Sequence, residues 1–98
     1  MKIDVSNQAL EWFKDEMGVS DQSQVRFFVR YGGCSSVQSN FSLGVDVTIP
    51  KDPVAETTRD NILFFVEQTD EWFFDSHDLE VKFDESTDEL AFTFPEPA

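Results

Sequence analysis

Ninety-eight residues are enough for one domain with a single core and too few for two. A formal charge of −13 repels phosphate backbones, which argues against nucleic-acid and anionic-membrane binding and leaves a cation or a basic protein as the easier partner. Eleven Phe, two Trp and one Tyr argue against disorder despite that charge, because disordered chains are poor in aromatic residues.

The charge is unevenly placed. Residues 1–50 carry six acids and four bases, net −2; residues 51–98 carry fourteen acids and three bases, net −11. Much of this acid is read as keeping a phenylalanine-rich domain in solution. One cysteine excludes an intramolecular disulfide framework. The opening MKIDVSNQAL lacks the apolar core and cleavage site of a signal peptide, and no apolar run is long enough to span a bilayer. A cytoplasmic protein is expected.

In chain order, Met1–Val5 alternates weakly and reads as a short edge strand. Ser6 is placed to cap a helix over Asn7–Met17, with Val5 and Leu10 as a hydrophobic staple and Gly18 at its left-handed end. Ala9, Leu10, Phe13 and Met17 share its apolar face, with Trp12 at the border. Gln24–Tyr31 alternates as a strand, with Val25, Phe27, Val29 and Tyr31 on one side and Arg26, Phe28 and Arg30 on the other.

A loop, Gly32-Gly33-Cys34-Ser35-Ser36, is expected to join it to an antiparallel strand carrying Phe41, Leu43, Val45 and Val47. Pro50 and Pro53 break the pattern, and Val54–Asp60 reads as a polar connection. Asn61–Glu67, apolar on both faces, suits a central strand. Asp70 is placed to cap a helical turn pinning Trp72 and Phe73 against the core. Leu79–Phe83 and Leu90–Phe94 alternate around a turn-rich link and predict a terminal hairpin, ended by Pro95 and Pro97. The fold class expected is α+β: a compact β-sandwich or distorted barrel of antiparallel or mixed strands with one N-terminal helix.

Chemistry is sought first at Cys34. Gly32 and Gly33 can expose consecutive backbone N–H groups, and no acid occurs from Gln22 to Val45, whereas Arg26 and Arg30 do. Such surroundings would stabilise a thiolate, the form that binds metal or attacks electrophiles. The sequence leaves open whether the arginines face the thiol. Equal weight goes to Cys34 as a small buried apolar side chain.

A metal site within one chain finds little support, since iron–sulfur clusters usually take four cysteines and this chain has one Cys and one His. His77 reads as part of a solvated turn. Glu67, Asp70, Glu71, Asp75 and Asp78 are dense, but lack calcium-loop spacing and read as a solvated acidic face. No phosphate-binding glycine motif is present, and nothing points to a Cys–His catalytic pair.

The segment VRFFVRYGGCSS, with the helix before it and NFSLGVDV, NILFFVEQTDEWFF and the terminal hairpin after it, resembles the HesB-like, A-type iron–sulfur carrier family. Gly32-Gly33-Cys34-Ser35 matches that family's first cysteine motif. The resemblance implies one HesB-like domain over residues 1–98. It also implies a non-enzymatic role in iron–sulfur cluster assembly or iron handling, by passing iron or a [2Fe–2S] cluster to apoproteins. Cys34 is then the cofactor-binding and metal residue.

The family's two later cysteines, a Cys-Gly-Cys near the C-terminus, are replaced here by Phe92-Thr93-Phe94-Pro95-Glu96-Pro97-Ala98, and Ser36 replaces a glycine. A cluster would therefore need ligands from a second chain of a homodimer or from an exogenous thiol. The partner implied is an apoprotein client or the assembly machinery. Two rival readings stand beside this one. In the first, the fold has lost its metal chemistry and serves as an acidic protein-binding module. In the second, Cys34 is a redox thiol.

Overall fold

Each alternating run in the sequence forms a strand, and one further strand joins them. The computed structural model describes residues 1–34 and 39–96, with side chains described outside residues 32–40. The chain runs β1 (Ile3–Val5), α1 (Asn7–Glu16), β2 (Gln24–Cys34), β3 (Ser39–Val47), β4 (Pro53–Arg59), β5 (Ile62–Glu67), a 3-10 turn (Gln68–Asp70), α2 (Glu71–Phe74), β6 (Leu79–Asp84) and β7 (Glu89–Thr93).

Four strands form one sheet in the order β3-β2-β5-β4, and three form another in the order β1-β6-β7. Both are mixed: β2 runs parallel to β5 and β1 parallel to β6, while the other pairs are antiparallel. The α+β class holds. Of the two architectures expected, the described residues form two sheets and no closed barrel. β1 is the edge strand expected of it, and β5, paired on both sides, is central. Among the described residues no helix is long and apolar enough to cross a membrane.

The core is aromatic because the inward positions of β2, β5 and α1 carry Phe. Phe13, Phe27 and Phe64 are fully buried, with ring centroids 5.1 Å apart for Phe13–Phe64 and 6.0 Å for Phe27–Phe64. Phe92 on β7 closes on Phe27 at 6.1 Å and links the two sheets. Phe65 points to the opposite face of β5 and is buried as well, which accounts for the doubly apolar run.

The start of α1 follows the capping logic of its sequence. Ser6 Oγ accepts the Ala9 N–H at 3.1 Å, and Val5 and Leu10 are both buried. The helix ends one residue earlier than expected, with Met17 as its cap and Gly18 at φ +64°. Nothing lies within 4 Å of where a Gly18 Cβ would stand, so substitution there tests backbone strain alone. We expect Gly18→Ala to lower stability by about 1 kcal/mol, read by urea denaturation. Gly18→Asn should recover part of the loss, because asparagine tolerates the left-handed region; equal stability of all three proteins would sink this account.

Val54–Asp60 is not a loop. Pro53–Arg59 is β4, an edge strand laddered to β5 with Arg59 opposite Ile62. The overlooked signal is Asp60-Asn61, whose φ angles of 50° and 62° make the two-residue left-handed turn that suits a tight hairpin. Val54, Thr57 and Thr58 fit a half-buried strand although the segment reads as polar. Asp60 also holds Lys14 of α1 at 2.7 Å, which lowers the Asp60 pKa and raises that of Lys14.

The terminal hairpin is as expected. At its turn Asp84 accepts the Ser86 hydroxyl at 2.6 Å and the Ser86 N–H at 3.0 Å, and these bonds hold its pKa below the usual carboxylate value. A depressed folded-state pKa contributes stability that is present above the unfolded value and lost as pH falls through the folded one. In a carboxyl NMR titration the Asp84 midpoint should therefore rise in Ser86→Ala. An unmoved midpoint would exclude the Ser86 hydroxyl as a cause, since the backbone N–H remains in the variant.

Candidate functional site

The glycine–cysteine segment lies within a strand. β2 continues through Gly32, Gly33 and Cys34; Ser35 and Ser36, expected in the loop, lie outside the described residues, as does Pro97. Tyr31 pairs with Phe41 but Cys34 pairs with Ser39, so Gly32 and Gly33 oppose Asn40 alone. This two-against-one count is a β-bulge, a feature that kinks a strand and re-aims the residues beyond it. A glycine pair suits it, having no Cβ to strain.

Arg26 and Arg30, whose facing toward Cys34 the sequence leaves open, stand well up β2 from it. At a strand rise of about 3.3 Å per residue, Arg26 lies roughly 26 Å and Arg30 roughly 13 Å up the strand from Cys34. Arg26 is engaged elsewhere: its Nη2 donates to Asp70 Oδ2 at 2.7 Å. The exposed Arg30 leans back over Gly44, where an added Cβ would stand 2.6 Å from Arg30 Cδ. Gly44 is paired with Phe28, so Arg30 leans away from the cysteine end.

Two acids expected on a solvated face are buried and have structural jobs. Glu67, 6% exposed, accepts the backbone N–H groups of Lys51 and Asp52 at 3.1 to 3.2 Å and holds the β3–β4 connection. Asp70, 8% exposed, takes Arg26 on one oxygen and the Val29 N–H at 3.4 Å on the other. That N–H belongs to the part of β2 beyond its last pairing with β5, so a side chain replaces the missing strand. Asp70 makes no side-chain cap to α2, contrary to expectation.

His77 sits in the turn expected of it. Its Nδ1 lies 2.9 Å from the Phe74 carbonyl and 3.0 Å from the Asp75 carbonyl; both oxygens only accept, so Nδ1 carries the proton. Among the described residues no three His, Cys, Asp or Glu side chains gather as a metal site would require. One thiol per chain, against the four ligands a cluster usually takes, does not fit a cluster held by one chain.

The feature that sequence reading misses is aromatic. Trp72, expected against the core, is 52% exposed, while Phe73 and Phe74 are buried. Tyr31 falls on the core side of β2 by alternation, yet it is 90% exposed and meets only the edge of the Phe41 ring among the described aromatic rings. Tyr31, Phe41 and Trp72 form an edge-to-face ladder, with centroids 5.6 and 5.2 Å apart, ending on buried Phe73. This ladder lies at the end of β2 that leads into Cys34.

The family model for iron–sulphur cluster biosynthesis matches residues 1–98. The chain belongs to that family. Similar proteins cover nearly its whole length: a pyruvate dehydrogenase inhibitor of Bacillus subtilis (strain 168) is 46% identical over 96% of this chain and 99% of the relative. Uncharacterised proteins of Staphylococcus haemolyticus and Staphylococcus saprophyticus are 33% and 32% identical, over 95% and 94% of this chain and 97% of each relative. No solved structure matches. The HesB-like resemblance seen in the Gly-Gly-Cys segment is thus a family relationship of the whole chain.

Proposed function

We propose that this protein is a cytoplasmic, non-enzymatic regulator, one HesB-like domain that acts by binding a protein and inhibits pyruvate dehydrogenase. The observation that carries the reading is its 46% identity, along nearly the full length of both chains, to a protein named for that inhibition. The molecule suits the role. It pairs a strongly acidic charge with exposed aromatic rings, the side-chain types that anchor protein interfaces.

The test is direct. Adding the purified protein to pyruvate dehydrogenase should lower NADH formation in a dose-dependent, saturable way. An unchanged rate at large molar excess would overturn the proposal. Since the reading needs no metal, Cys34→Ser should inhibit as well as the wild type; loss of inhibition in that variant would give the thiol a part in the contact.

A second reading is favoured by the family and by the Gly-Gly-Cys segment: a role in iron–sulfur cluster assembly or iron handling. Here Cys34 is the sole thiol ligand each chain offers to iron or a [2Fe–2S] cluster. Two copies as a homodimer, or an exogenous thiol, complete the ligand set, and an apoprotein client or the assembly machinery is the partner. After anaerobic reconstitution with iron and sulfide, this reading expects visible absorption and bound iron that Cys34→Ala lacks. A colourless, iron-free wild type would exclude it.

A further inference from the structure

Resting on the protein-binding reading above, we propose that the docking surface is the Tyr31–Phe41–Trp72 ladder with the hollow beside it, and that its occupant is a cationic segment of the partner. Arginine or lysine side chains of that segment would lie on the aromatic rings and pair with Glu71 and Asp75.

Three observations carry this. First, Tyr31 and Trp72 are the most exposed aromatic rings among the described residues, and both rest edge-on against Phe41. The ladder is anchored in the core through Phe73, so these rings are held in place before a partner arrives and little side-chain freedom is left to lose. Second, Trp72 forms a wall of an open hollow of about 600 Å³ whose other lining residues include Met1, Glu71, Asp75 and His77; its two carboxylates face the one amino terminus, with no lysine or arginine among the described lining residues.

Third, charge selects the occupant. An exposed tryptophan beside two carboxylates attracts a guanidinium or ammonium group by its ring face and by ion pairing together. A second copy of this chain would bring another −13 to the same surface, so self-association is disfavoured where a basic segment is drawn in.

A different acid-rimmed groove surrounds Trp12, with Glu11, Asp15, Glu16 and Asp88. It provides the internal control, since a purely charge-driven ligand would occupy both places.

The experiment uses the full chain and two readouts. A synthetic peptide of alternating arginine and leucine is titrated while the two indole N–H signals are followed by NMR. Trp72 should shift and Trp12 should not. Affinity should fall about tenfold or more in Trp72→Ala, and less in Glu71→Gln and Asp75→Asn. Trp12→Phe should bind as the wild type does. Circular dichroism establishes that each variant is folded; Asn at position 75 tolerates its left-handed φ of 48°. Equal shifts at both indoles, or binding indifferent to Trp72, would overturn the site.

The same variants are then assayed against pyruvate dehydrogenase. If the wild type inhibits and Trp72→Ala inhibits equally, the surface is wrong and the function stands. If the peptide binds through Trp72 but the wild type does not inhibit, the surface stands and the named target falls.

Discussion

Truncating Phe64 to alanine should remove about 4 kcal/mol of stability and lower the melting temperature by roughly 20 °C. Phe64 lies on the central strand β5, is fully buried, and touches both Phe13 of α1 and Phe27 of β2. Its removal therefore opens a cavity where the helix and two neighbouring strands of the larger sheet meet. Collapse does not readily refill it, because the surrounding rings are themselves held by ladders and by the α1 cap. Since domains of this size have total stabilities of about 5–15 kcal/mol, the variant should sit near the edge of folding at 37 °C. Urea denaturation followed by circular dichroism measures the effect, with Phe83→Ala on the half-buried hairpin as a milder comparison. A loss below about 1 kcal/mol would mean the ring is not enclosed as described.

Removing the guanidinium in Arg26→Leu should cost about 2 kcal/mol, less than the 3–5 typical of a fully buried pair because Arg26 keeps 30% of its side-chain exposure. The penalty arises from the carboxylate left behind. Asp70 would stay in a nearly closed site with only the long Val29 N–H contact. Asp70→Asn should cost less, since a neutral amide can keep that contact and Arg26 can turn to solvent. Arg26 Nε is already buried without a partner, a sign that the pair is tolerated rather than ideal.

A double-mutant cycle in urea should show that Arg26→Leu/Asp70→Asn loses less than the two single changes added together. Strict additivity would mean that the 2.7 Å contact carries no energy. There is a functional consequence as well. Asp70 immediately precedes α2, so Arg26→Leu should loosen Trp72 and weaken peptide binding without touching the binding surface.

The local grammar of the chain is legible because it needs only neighbours in sequence. Ser6, the Val5–Leu10 staple and Gly18 predict α1, and the alternation around Phe27, Val81 and Phe92 predicts β2, β6 and β7. β5 announces its central place by being apolar on both faces. β4 escapes such a reading because it lies at a sheet edge. Its polar residues meet solvent on one side, and only the ladder to β5 makes the segment a strand.

Around the candidate site the failures share one cause. Charge near Cys34 is counted along the chain, but a strand spreads residues out by about 3.3 Å each. Arg26 turns instead to Asp70, forty-four positions later. Alternation correctly puts Tyr31 on the inner side of β2, but an inner side is buried only where something covers it, and no described residue covers this end.

By itself, the sequence determined the class of fold, the acidic character, the single thiol and the family resemblance that the comparisons extend to the whole chain. These depend on composition, on periodicity and on a short motif, all of which survive without coordinates. Only the tertiary structure decided that Gly32-Gly33 is a bulge within a strand, that Glu67 and Asp70 are buried braces, and that Tyr31 and Trp72 form an exposed anchored ladder. Each of those depends on which distant segment arrives to cover, pair or leave bare a given side chain, and periodicity along one strand or helix carries no record of that.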